Sequence, residues 1–109
     1  MAATHKVVLL KIEDLYKARP AYVVAEPSDK IRFLNLTDAT VELTFPGGPF
    51  ASGHTLLAGG GWEATVPSEA VAGHFKYVGN VTGVASAQLQ GESSPEIIID
   101  RFGLPQAYR

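Results

Sequence analysis

The sequence predicts an all-β chain, a Greek-key antiparallel β-sandwich of about seven to eight strands, and three observations predict it. Several short runs alternate apolar and polar residues with the period of two that a strand with one buried face requires. Clusters of turn-forming residues separate those runs, in a chain of 109 residues holding 11 Gly and 7 Pro. A single segment of seven residues, Glu13 to Arg19, carries a helical pattern, and a helix that short is unstable without packing.

Taken in order, Thr4 to Ile12 reads as the first strand and contains the longest apolar run, the four residues Val7 to Leu10. Glu13 to Arg19 follows as the helical candidate, stopped by Pro20, so one turn at most is expected. Ala21 to Ala25 and Lys30 to Asn35 read as strands joined by the turn Glu26-Pro27-Ser28-Asp29. From Val41 to Phe45 the alternation is strict, Val41, Leu43 and Phe45 against Glu42 and Thr44. Pro46-Gly47-Gly48-Pro49 then opens a loop that is expected to run to Leu57 and to carry His54. Gly59-Gly60-Gly61 is a turn before the strand Trp62 to Val66, and His74 to Tyr77 is a further aromatic strand. Glu96 to Asp100, with Ile97, Ile98 and Ile99 in succession, reads as a strand covered on both faces. One domain, residues 1–109, accounts for the whole chain.

Composition excludes several function classes. Nine basic and eleven acidic residues, a net charge of -2, are scattered without blocks, so no electrostatic footprint for nucleic acid exists. No run approaches the roughly 20 apolar residues of a membrane-spanning helix. The count of 0 Cys removes disulfides, thiolate nucleophiles, iron-sulfur clusters and copper-thiolate sites together.

The stretch Ala25-Glu26-Pro27-Ser28-Asp29-Lys30-Ile31-Arg32-Phe33-Leu34-Asn35 resembles the cupredoxin pattern V-x-P-G-D-x-V-x-F-x-N, with Ser28 in place of the usual Gly. Gly59-Gly60-Gly61-Trp62 and Gly73-His74-Phe75-Lys76-Tyr77 resemble two later strands of the same family, in the family's order, and the likeness spans about residues 20–100. The resemblance implies a plastocyanin- or amicyanin-type sandwich. It also implies where type 1 copper ligands would stand: the first His position falls on Val41, the Cys position on Gly79 and the second His position on Thr82. The region of the axial Met, about Val84 to Leu89, has none. None of these side chains replaces a thiolate and two imidazoles, so a blue-copper electron carrier is excluded and no cofactor is expected. The resemblance further implies a periplasmic or extracellular setting, although Met1 to Leu10 does not read as a signal peptide.

Three histidines remain, His5, His54 and His74, and their spacing presents no two of them on one face. A non-standard metal or catalytic site around His54 and His74 is one alternative, and it requires the two imidazoles to converge. No nucleophile elbow, zinc-protease helix or phosphate loop is present, so catalysis is not expected. Trp62, as a stacking platform, would make the chain a carbohydrate-binding type of sandwich, as would an exposed Tyr22; its alternation with Ala64 and Val66 places it in the core instead. The leading expectation is a metal-free interaction module that binds a protein partner or itself. Candidate contact residues are Phe50 and His54 in the loop after Pro46, Val84 and Leu89 in the remodelled segment between Gly79 and Pro95, and Phe102 and Tyr108 in the segment 101–109.

Overall fold

The computed structural model describes residues 3–13, 15–50, 53–82 and 95–100. Ten strands occur among them: β1 (Thr4–Ile12), β2 (Leu15–Arg19), β3 (Tyr22–Ala25), β4 (Lys30–Asn35), β5 (Val41–Thr44), β6 (His54–Leu56), β7 (Gly61–Thr65), β8 (Gly73–Lys76), β9 (Val78–Val81) and β10 (Glu96–Ile99). One layer has the order β2-β1-β4-β7. Two further sheets of three strands, β3-β10-β8 and β6-β5-β9, are linked in the chain through Tyr77, between β8 and β9. No helix occurs among the described residues.

Alternation builds the core as expected. Val7 and Leu9 from β1, Ile31 and Phe33 from β4, Val41 and Leu43 from β5 and Ile97 and Ile99 from β10 are all buried between the layers. Each such side chain taken from water contributes about 1.5–3 kcal/mol before entropy is counted. Phe33 lies at the centre of an aromatic cluster, with ring centroids 5.7 Å from Trp62, 5.7 Å from Tyr77 and 6.0 Å from Phe45.

Three local expectations are corrected. Leu15 to Arg19 forms strand, not a helical turn: Tyr16 and Ala18 bury on one face while β2 pairs along β1 from Val8↔Arg19 to Ile12↔Leu15. Pairing with a neighbour overrides a weak local preference. His54 to Leu56, expected as loop, pairs antiparallel with Val41 to Leu43. Gly79 to Val81, expected to open a long loop, is strand against β5, with Leu43↔Gly79 and Val41↔Val81.

The sandwich is also not wholly antiparallel. β1 runs parallel to β4, from Thr4↔Lys30 to Leu9↔Asn35, and β10 runs parallel to β3, from Glu96↔Tyr22 to Ile99↔Ala25.

Two turns set the layer joining β4 and β7. Asp29 N–H donates to Glu26 O at 3.0 Å with Ser28 at φ 75, and Gly60 N–H donates to Leu57 O at 2.8 Å with Gly59 at φ 78. Both have the positive φ at the third position that a type II turn demands. Asp29 locks the first of them: its carboxylate accepts from Ala3 N–H at 2.9 Å, Glu26 N–H at 2.9 Å and His5 Nε2–H at 2.8 Å.

Candidate functional site

Of the positions where the resemblance would put metal ligands, Val41 and Gly79 are buried. Val41 is buried in the middle of its layer, paired on one side with Leu56 and on the other with Val81, both apolar and buried. Gly79 is buried opposite Leu43. Thr82 is exposed, and its N–H donates to Thr40 O at 2.9 Å. The adjoining loop is pinned by Asn35, whose side chain is 0% exposed. Asn35 Nδ2 lies 2.8, 3.1 and 3.2 Å from the carbonyl oxygens of Ala39, Leu56 and Leu57. Its Oδ1 accepts from Thr37 N–H at 3.0 Å and Thr37 Oγ1–H at 2.6 Å. The strand-ending Asn is therefore a structural staple with its amide fully engaged.

The three histidines have three different partners. His5 bonds Asp29, and His74 Nδ1 lies 2.9 Å from Glu96 Oε1 across β8 and β10. His54 lies flat on Trp62, with ring centroids 4.6 Å apart and 4° between planes. Among the described residues, no group of three or more His, Cys, Asp or Glu side chains is placed to hold a metal ion.

Trp62 packs on the core, as its alternation predicts. The indole stacks on Phe33, with 18° between planes, and on His54. Tyr22, on the strand β3, is 41% exposed among the described residues.

Phe50 does not present an exposed contact patch. It is 8% exposed, with its ring edge-on to Phe45 at 5.0 Å and to Trp62 at 5.9 Å. A large aromatic side chain in a Pro-Gly loop gains more from joining the neighbouring ring cluster than from solvent. Val84, Leu89, Phe102 and Tyr108 lie outside the described residues.

Among the described residues, two open depressions stand out. The first, about 420 Å³, runs along the β5–β6 edge and is lined by Glu42, Thr44, His54 and Thr55 among others. The second, about 270 Å³, lies between the 46–50 and 67–71 turns and is lined chiefly by Pro49, Pro67, Ala70, Val71 and Phe75, with the exposed Glu69 beside them. Val71 is 66% exposed there, and Gly48, at φ 101, holds a backbone conformation that favours glycine. Sequence reasoning missed this groove. The available signal was Ala70-Val71-Ala72, an apolar triplet in a turn region with no strand to bury it.

Burial pushes the Tyr77 phenol well above its usual range. Tyr77 is 1% exposed, and its hydroxyl has no hydrogen-bond partner among the described residues.

Neither a family model nor a curated protein matches the chain by sequence. Solved structures match by shape. An oxidised amicyanin variant superposes with a TM-score of 0.60 at 12% identity, covering 89% of this chain and 82% of its own. A reduced amicyanin variant gives 0.61 at 12% identity, covering 89% and 82%. A purple cupredoxin from Nitrosopumilus maritimus gives 0.61 at 8% identity, covering 88% of this chain and 99% of its own. At those identities the likeness is one of fold. This chain has the cupredoxin-like β-sandwich fold, in a sequence that holds no cysteine for a type 1 copper site.

Proposed function

We propose that the chain is a metal-free module on the cupredoxin fold that acts by binding a polypeptide and not by carrying electrons. The observation behind this reading is the state of the ligand positions: Gly79 stands at the thiolate position, and Val41, at the first imidazole position, is sealed between Leu56 and Val81. A tuned copper couple needs the soft thiolate and imidazoles together. The groove at Val71 and Phe75 supports the binding half of the reading, since an open concavity lined by Pro, Ala, Val and Phe suits an apolar peptide segment. The resemblance to cupredoxins favours a periplasmic or extracellular setting. Among the described residues no helix is long and apolar enough to cross a membrane.

Titration of the purified chain with Cu(II) and Zn(II), read by metal content and visible spectrum, tests the metal-free half. The expected result is less than about 0.1 equivalent retained and no charge-transfer band. Stoichiometric uptake that disappears in His54→Ala or His74→Ala overturns it. The binding half is tested by titrating synthetic apolar peptides into isotope-labelled protein, with amide shifts expected at Val71 and Phe75; a groove that stays silent to all of them counts against the reading.

A further inference from the structure

We infer that the outward face of the β2-β1-β4-β7 sheet is a second interaction surface, a docking site for an acidic polypeptide segment that also carries apolar side chains. It shares no residue with the groove at Val71 and Phe75 and goes beyond the reading given to that groove.

Strand alternation decides which side chains face out. In these four strands Val7, Leu9, Ala18, Ile31, Phe33 and Ala64 are buried in the core, so the residues between them face solvent. Of those, Lys6, Arg19, Lys30 and Arg32 are exposed and Lys17 is half-buried. Register gathers them from distant parts of the chain: Lys6 lies opposite Arg32 across β1 and β4, while Arg19 and Lys17 of β2 lie opposite Val8 and Leu10 of β1. The four strands hold six of the nine Lys and Arg and one of the eleven Asp and Glu, Glu63. Charge that is scattered along the sequence thus becomes a basic face on a molecule whose net charge is -2.

That face is poorly neutralised. Lys6 and Arg32 are like charges side by side, an arrangement that repels. Glu63 reaches Lys30 Nζ at 3.8 Å in an exposed pair, which is weak. Among the described residues no carboxylate forms a salt bridge with Lys6, Lys17, Arg19 or Arg32. An acidic partner relieves the repulsion, and clustered charge steers its approach.

Apolar side chains beside the charges narrow the class of partner. Val8, Leu10 and Leu34 are half-buried on the same face, and Ile12 and Leu15, opposite each other in register, are 40% and 42% exposed. A polypeptide can offer carboxylates to the first stripe and apolar side chains to the second, whereas a nucleic acid backbone offers only charge. Half-buried within strands, Val8, Leu10 and Leu34 can pack against a partner laid on the sheet but do not reach into an acyl layer.

The test titrates isotope-labelled full chain with a synthetic peptide of about ten alternating Glu and Leu residues, more than enough to cross four strands about 4.8 Å apart. Amide shifts are expected at Lys6, Arg19 and Arg32. Affinity is expected to fall by about tenfold or more between about 0.01 and about 1 M salt, as the screening length drops from about 30 to about 3 Å. Reversing two exposed charges together, Lys6→Glu with Arg32→Glu, is expected to weaken this peptide by about tenfold or more and to confer binding of the matching Lys-Leu peptide, which the parent does not take. Lys76→Glu, at an exposed basic position on β8, is expected to change neither. If the double variant loses its folded amide spectrum, the parent's shift map and salt dependence decide.

Affinity indifferent to salt, or a folded double variant that binds the Glu-Leu peptide as the parent does, overturns the proposal. Shifts confined to Val71 and Phe75 overturn it and leave the groove reading standing; shifts confined to the sheet face support it whatever becomes of the groove. Binding to phosphatidylserine vesicles or single-stranded DNA with no response to the peptide overturns the polypeptide assignment. Salt-sensitive self-association that the double variant abolishes does the same, because the occupant is then a second copy.

Discussion

Ser28 and Tyr77 are two described residues at which this sequence departs from what its own fold favours. Ser28 adopts φ 75 where the cupredoxin pattern carries Gly, and a residue with a Cβ pays about 1–2 kcal/mol in that region. Ser28→Gly relieves this but gives back about 0.4–1 kcal/mol through the greater freedom of Gly in the unfolded chain. Urea unfolding is therefore expected to show a net gain of roughly 0.5 kcal/mol, and a loss of similar size would mean that the Ser28 side chain makes a contact of its own. Tyr77 buries a hydroxyl with no partner among the described residues, and an orphaned buried polar group costs about 1–3 kcal/mol. Tyr77→Phe keeps the ring packed against Phe33 and Phe45 and removes the orphan. The same unfolding assay should find the variant at least as stable as the parent; destabilisation beyond about 1 kcal/mol would show that the hydroxyl is bonded.

At the scale of elements, the short strand β6 depends on one glycine. A Cβ on Gly53 would collide with Leu43 O, a backbone atom that can move only if β5 moves. Gly53→Ala is expected to cost about 1–3 kcal/mol and to disturb His54, the next residue, where it covers Trp62. Because Trp62 is the sole Trp, its fluorescence reads the change directly: emission shifts to the red as the indole loses its imidazole cover. An unaltered spectrum with unaltered stability would contradict the geometry. The same paired strands explain why β6 and β9 escape sequence reading. Each is three or four residues long, and His54-Thr55-Leu56 shows too little alternation to be distinguished from loop until β5 lies beside it. For β2 the alternation of Tyr16 and Ala18 was present, but its spacing also fits a helical turn.

For the molecule as a whole, Asp29 is the clamp between its beginning and its middle. It holds Ala3, just before the first strand, and His5, within it, against the turn that launches β4, and so secures the parallel β1–β4 pairing. Burial alone would raise its pKa, but hydrogen bonds from Ala3, Glu26 and His5, with the charge of His5, outweigh burial and hold the carboxyl below its ordinary 3.8. A carboxyl whose folded pKa is depressed stabilises the fold above the unfolded value and loses that contribution as pH falls through the folded one. Stability measured by urea unfolding should thus decline as the pH is lowered past 3.8, and the decline should be shallower in Asp29→Asn, which is less stable at neutral pH. Equal slopes for parent and variant would remove Asp29 from this role.

By itself the sequence determined the layers and the chemistry they cannot perform. Period-two alternation names Val41, Leu43 and Phe45 as inward residues wherever their strand lies, and a chain without Cys has no copper-thiolate centre in any conformation. It also placed Trp62 inside, because its face is shared with Ala64. Tertiary structure decided direction, closure and surface. Alternation is the same whether a neighbour runs parallel or antiparallel, so the β1–β4 and β10–β3 pairings left no mark in the sequence. Phe50 is buried because Phe45 and Trp62 meet it from other strands. The groove at Val71 and Phe75 exists only where two turns some twenty residues apart in the chain come together, since a concave surface is made by the relative placement of segments and no single segment encodes it.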